Sequence, residues 1–460
     1  MKKLTAKILS VAMAVCTAVS LAACGGGNSG GSSSGGANKN EITVDGAVYQ
    51  RERGDVMFFE KEDLAQDDTV IQDMSICIYN YCPSVMQVDE NTRYVYYCSN
   101  KYTAGKTLGE GWMDIDGDDQ ITDYIAARKG IKHNGEWYWG EKKYVLKPSK
   151  NSETEGEQTC DPNVIAGDFT YNGTKYGYLM AYLACNTRNN HYNHICFAVA
   201  NDPMGPWKKC SDINPFHRYT TEAYTNAMGQ QIPAVPGDFM NTYLWGYGQA
   251  SMINADKSGR VQMFYTAIKP MYVAEKNKWW HGTLTIVERW DLSNLNAPVC
   301  EYQIENMNCY GVKRGGGQVE TVTNADYAYD SRTNRIYAVF DGGVNGAPVA
   351  YLTNHSKAET PVVGDVFKDY LYEFPGANQN TPTDKRWTTF ASAKSDNTHN
   401  YTAFHNTAVI RDEYGWLDDF SEIEVAITGD VGTAVTDVFP EETNKLWSYR
   451  IIRKSFELPA

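Results

Sequence analysis

Apolar residues in this chain gather in short runs broken by turn dipeptides, and no stretch sustains a helical period. Tyr124-Ile125-Ala126-Ala127-Arg128, Tyr176 to Tyr182 and Ile195 to Ala200 are typical runs, and Asn134-Gly135 marks a tight turn between two others. The pattern predicts strands throughout. A phrase recurs within it: a polar residue heads a short apolar strand at Cys82, Asp161, Gln249, Asn324 and His405. Fifteen residues separate Cys82 from Tyr97, Gln249 from Phe264 and Asn324 from Val339, each inside a second strand. The heads follow one another at steps of 75 to 88 residues. This register predicts an all-β chain, a five-bladed β-propeller of four-stranded antiparallel blades, with the five heads ringing one end of a central channel.

The first residues read as an address. Lys2, Lys3 and Lys7 precede an apolar run from Ile8 to Val19 that is too short to span a membrane. It closes on Leu21-Ala22-Ala23-Cys24, which resembles the lipobox of bacterial lipoproteins and implies cleavage before Cys24 and lipid attachment to its thiol. Residues 1–23 are thus expected to be a lipoprotein signal peptide and residues 24–40, almost wholly Gly, Ser and Asn, a flexible tether. Residues 41–460 are expected to form a single propeller domain, held at the extracellular face of the cell membrane by the lipid alone.

A net charge of −14 argues against nucleic acid as a partner and leaves neutral or cationic ligands. The 32 Tyr and 11 Trp are mostly explained by strand formation, but some offer platforms for sugar rings; Trp245, four residues before Gln249, is the one selected. Of the 11 Cys, several lie inside apolar strand patterns, where a thiol behaves as a small hydrophobe. The sequence has no C-x-x-C pair, so local spacing gives no sign of zinc.

The order of motifs carries a more specific likeness. Asp161-Pro-Asn-Val-Ile, Tyr171-Asn-Gly-Thr-Lys-Tyr and Phe197-Ala-Val-Ala-Asn-Asp-Pro-Met-Gly-Pro-Trp resemble the blades of glycoside hydrolase family 43 and related five-bladed propeller glycosidases. The resemblance implies a carbohydrate partner, and an acid and a base set on the channel heads. Two carboxyls are needed for glycoside hydrolysis, one to protonate the leaving oxygen and one to activate water or attack the sugar. Carried over position by position, Asp161 matches the second-blade Asp. Cys82 stands where the base belongs and Gln249 where the family has Glu, while His405 resembles the channel histidine. A second carboxylate would therefore have to join Asp161, and the order of preference is Glu320, Asp326, then Asp238. Cys82, Gln249, Asn324, His405 and Trp245 are expected to bind substrate.

An acidic stretch, Asp114-Ile-Asp116-Gly-Asp118-Asp119, resembles a calcium loop at its first, third and fifth positions. It lacks the glycine and the terminal acid, which favours a plain acidic hairpin over a calcium clip. No cofactor is required by this reading, and calcium is the only one suggested. The expectation is a monomeric, surface-anchored glycoside hydrolase acting on a poly- or oligosaccharide. Its alternative is a glycan-binding propeller that has lost the acid/base pair.

Overall fold

The computed structural model describes residues 40–58, 76–103, 123–149, 152–186, 192–226, 229, 231–237, 246–273, 278–307, 324–341, 346–353, 387–394, 403–430 and 449–460. The described residues contain strands and no α-helix. Three separate four-stranded antiparallel sheets follow one another along the chain. Blade two runs Gln158–Tyr171, Thr174–Cys185, His194–Ala200, Lys208–Lys209; blade three runs Gly246–Asn254, Arg260–Val273, Lys278–Asp291, Val299–Met307. Blade four runs Asp326–Asp330, Arg335–Val339, Ala347–Thr353, Trp387–Ala393.

A ten-stranded sheet holds the remaining repeats. One part is blade one, formed by Ile76–Asp89, Thr92–Thr103, Tyr124–His133 and the two short strands Glu136–Trp139 and Lys143–Leu146. The other, blade five, has three described strands, Ala403–Asp412, Glu422–Asp430 and Tyr449–Glu457. Parallel pairs join the two parts, Arg411 with Met86 and Tyr449 with Tyr79 among them. The first strands of the five repeats neighbour one another in cyclic order and close a ring. This is the architecture of a β-propeller.

Stacked blades explain the sequence pattern. Val261 to Ala267 is buried on both faces, as is His194 to Ala200, because each blade lies between two others. Such strands read as continuous apolar runs rather than as alternation. Turns are set by left-handed backbone at Asn134-Gly135 and Asn172-Gly173, where φ is positive at both residues, as a two-residue hairpin turn requires.

The N-terminal segment is shared between two uses. The hairpin Glu41–Val44 and Ala47–Arg51 extends the outer edge of blade one through Gln50 and Trp139. Val56 instead lies along the last strand, with Met57 N donating to the Ile451 carbonyl at 3.0 Å. Glu52 fastens the junction: it accepts from Trp139 Nε1 at 2.9 Å and pairs with Arg453 at 2.7 Å. Arg453 also pairs with Glu424, which Arg93 of blade one reaches from the other side. Chain start, first blade and last blade are thus held by one partly buried ionic network.

Candidate functional site

Four of the strand heads share one backbone conformation. Cys82, Asp161, Asn324 and Asn406 have φ between 44° and 50°, a left-handed geometry uncommon for residues with a side chain. Three of them fall at breaks in strand register, between Tyr81 and Ser84, Cys160 and Asn163, and His405 and Thr407. A bulge re-aims the side chain it carries. In blade five the residue with this geometry is Asn406, which follows His405.

Each of these heads is fixed by the blade before it. Cys82 N donates to Thr428 Oγ1 at 3.1 Å, and Asp161 N to Cys98 Sγ at 2.8 Å. Asn324 N donates to Thr266 Oγ1 and Asn406 N to Asp341 Oδ1, both at 2.9 Å. Gln249 makes its link through the side chain. Its Nε2 donates to the Thr407 carbonyl at 2.6 Å, and its Oε1 accepts from Asn406 Nδ2 at 3.5 Å. The ring end is consequently filled by heads that bond to one another's blades, and each of the five is buried.

Asp161 is 4 % exposed and surrounded by the thiols of Cys82, Cys98 and Cys160. Burial pushes its carboxyl up to about 6, against the pull of the thiol donors and with a further push from Asp341. Burial also raises the Cys82 and Cys98 thiols far above their ordinary value, which removes them as bases or nucleophiles at neutral pH. Asp341 is the carboxylate that the repeat phrase does not reveal. It lies just beyond Arg335–Val339 and holds two heads, accepting from Asn324 Nδ2 through its other oxygen at 2.9 Å. Its distance from Asn324 matches that of Thr266 from Gln249, so the second strand of each repeat carries a ring position as well as the first.

Asp326 occupies a deeper layer. Its Oδ1 accepts from Asn163 Nδ2 at 3.1 Å and Ser251 Oγ at 2.5 Å, while Oδ2 accepts from Val409 N at 2.9 Å. Arg411 pairs with it at 3.3 Å and also donates to the Tyr327 carbonyl. Four blades meet at this carboxylate, and both its oxygens are occupied. Glu320, Asp238, Trp245, Cys24, Asp114, Asp116, Asp118 and the His405 side chain lie outside the described residues.

Beside the ring, between blades two and three, lies a cavity of about 410 Å³. It reaches the first strand of blade three at Tyr247, two residues before Gln249, and is also lined by Phe216, His217, Tyr224, Tyr265 and Trp290. Glu288 anchors this wall from behind. Its carboxylate accepts from Tyr265 Oη and Trp290 Nε1, both at 2.8 Å, and from Gln303 Nε2 at 2.5 Å, and it contacts His217 Nε2 at 2.7 Å. Although wholly buried, which alone would raise it, Glu288 is held below the usual carboxylate range by His217 and these donors. A second cavity of about 310 Å³ adjoins it across Arg218 and Thr220, lined by Tyr192, His194 and Tyr219, with the two tyrosine rings stacked at 5.3 Å.

No protein-family model and no curated protein sequence matches this chain. Solved structures similar to it are glycoside hydrolases of families 43, 62 and 117. A family 117 glycoside hydrolase from Zobellia galactanivorans is similar over 88 % of this chain and 89 % of its own, at 11 % identity and a TM-score of 0.44. A family 43 β-xylosidase/α-arabinofuranosidase from a compost metagenome, solved with xylotriose, covers 83 % of this chain and 92 % of its own at 12 % identity, TM-score 0.43. The α-L-arabinofuranosidase of Podospora anserina, solved with cellotriose, covers 84 % and 93 % at 11 % identity, TM-score 0.40. At such identities the likeness is one of fold.

Proposed function

We propose that this chain is a surface-anchored carbohydrate-binding protein, built as a propeller of glycosidase-like fold, that receives a neutral oligosaccharide in the cavity between blades two and three. The observation carrying this reading is the cavity itself: about 410 Å³, walled by Phe216, Tyr224, Tyr247, Tyr265 and Trp290, with Thr220, Asn226 and Gln303 among them. Aromatic faces stack on the apolar faces of sugars, and interspersed amides and hydroxyls select among their hydroxyl groups. The volume falls within the range of roughly 300–1,000 Å³ usual for small-ligand sites. The chain's net charge of −14 suits a neutral ligand better than an anionic one. The anchor rests on the Leu-Ala-Ala-Cys sequence ending at Cys24.

Binding is preferred to hydrolysis because the ring offers few reactive groups. Cys82 and Gln249 supply neither base nor acid, and Asp326 is committed to Arg411. The hydrolytic reading is favoured by one observation, the partly buried Asp341 acting on the raised Asp161. In that reading Asp161 donates the proton and a second carboxyl, Asp341, Glu320 or Asp238, serves the water.

Titration of the purified chain with neutral oligosaccharides, cellotriose and xylotriose among them, tests the first reading. Tyr247→Ala and Tyr224→Ala should each weaken binding by about tenfold, the loss of one stacking contact. Unchanged affinity in both variants would place the sugar elsewhere. Release of reducing sugar that disappears in Asp161→Asn would favour the hydrolytic reading.

A further inference from the structure

Three strands deliver four acidic side chains to one buried point at the ring. Cys82 comes from Ile76–Asp89, Cys98 from Thr92–Thr103, and Cys160 and Asp161 from Gln158–Tyr171. The Sγ atoms of Cys98 and Cys160 and a carboxylate oxygen of Asp161 all lie within 4.8 Å of one another. Cys98 Sγ stands 3.6 Å from Asp161 Oδ1, and the Cys82 thiol interacts with both Cys98 and Asp161. All four residues are at most 4 % exposed.

We propose that Cys82, Cys98, Cys160 and Asp161 form a tetrahedral site for a thiophilic divalent cation, zinc above all, that pins blade one to blade two. Donor chemistry points to the metal: three sulfurs and one carboxylate oxygen make the soft, four-coordinate shell that Zn²⁺ favours over calcium or magnesium. Geometry allows it, because ligands about 2.3 Å from zinc stand about 3.8 Å apart at the corners of a tetrahedron. Cys98, Cys160 and Asp161 need to tighten by about 1 Å at their widest, and the Cys82 thiol, outside that 4.8 Å group, has to swing in to complete the shell. The backbone supports it as well. Asp161 N already donates to Cys98 Sγ at 2.8 Å, the kind of outer bond that stabilises a metal-bound thiolate.

Local charge argues in the same direction. The fixed charges pressing on the cluster include Asp341 near Asp161 and Asp123 near Cys160, both negative. When a divalent cation binds, the thiol protons leave to solvent and the metal offsets two of the negative charges on its ligands. As a ligand, Asp161 would be withdrawn from acid–base chemistry, in keeping with the binding reading proposed above. The absence of a C-x-x-C pair does not bear on this site, since its ligands converge through the fold.

The full chain, purified without chelator, should carry about one equivalent of zinc per molecule by elemental analysis. Exchange for cobalt should give the visible absorption of a tetrahedral ion together with thiolate-to-cobalt charge transfer in the near ultraviolet. Removal by a strong chelator should lower Tm by about 5 °C or more, with recovery on adding zinc. Cys160→Ser and Asp161→Asn should each lose metal, whereas Cys196→Ser, a buried thiol outside the cluster, should retain it. If Cys160→Ser fails to fold, the cobalt spectrum of the unaltered chain still decides the matter. The proposal is overturned if the chain binds neither zinc nor cobalt after reduction and reloading, or if two of the three cluster thiols prove to be joined in a disulfide.

Discussion

Asp326 and Asp161 look alike in the sequence, each an acid at or just past a strand head, yet their surroundings assign them different work. Asp326 meets Arg411, Ser251, Asn163 and a backbone N–H, all from other blades. Removing one member of a buried ion pair leaves the other charge uncompensated, typically at about 3–5 kcal/mol. Asp326→Ala should therefore destabilise the fold by about that amount in a urea or thermal melt. A cost below about 1 kcal/mol would mean that Arg411 finds another partner. His194 gives a second residue-level test. Burial, aided by Arg218, lowers it to about 4, and its Nδ1 accepts from Tyr219 N at 3.0 Å, so it folds as a neutral ring. Between pH 6.5 and 4 the unfolded chain then binds more protons than the folded one, and stability falls as pH is lowered through that window. His194→Asn keeps an acceptor near the Nδ1 position and should flatten the decline, by about 3 kcal/mol at the acid end. Parallel curves for the two proteins would contradict this. Neither pairing was legible beforehand, because each depends on groups brought from another part of the chain.

Among elements, the strand heads were easiest to read, since a polar residue before an apolar run is a local signal. Their register was legible to within one residue. In blade five the left-handed position is Asn406, one residue after the His405 that opens the phrase, because a bulge sets where the backbone turns and leaves no mark in polarity alone. Asn406 has φ 44°, and Asn tolerates that conformation better than most residues. Asp341 was missed because the phrase tracks first strands, while this carboxylate returns to the ring at the end of a second one. A similar close fit marks the start of the first strand of blade three. Gly246 has φ +90°, and a Cβ there would meet Asn193 N at 2.7 Å and its carbonyl oxygen at 2.8 Å. Gly246→Ala should cost about 1–3 kcal/mol and loosen the junction of blades two and three beside the cavity proposed to bind sugar. Loss of stability together with weaker oligosaccharide binding is the expected outcome; an unaltered melt would show that the backbone relaxes freely there.

At the scale of the molecule, the repeat predicted strand content, antiparallel sheets and cyclic order, all consequences of periodic polarity. It left open how the ring closes. Two strand-like stretches, Glu41 to Tyr49 and Val56 to Phe59, are candidates to pair with the last blade; Val56 does so, while the hairpin from Glu41 lies on the outer edge of blade one. Apolar alternation cannot choose between two available edges, and the choice here follows Glu52, which bridges Trp139 and Arg453. The cavity between blades two and three was also hidden, since its wall combines Phe216 and His217 of an irregular connection with Tyr265 and Trp290 of a sheet. That cavity carries the functional claim, and calorimetric titration of the full chain with a panel of neutral oligosaccharides tests it most directly, each sample being assayed afterwards for shortened products. Saturable binding with the ligand recovered intact, weakened about tenfold by Tyr247→Ala, is the predicted result. Absence of binding across the panel, or ligand recovered as cleaved products, would contradict it.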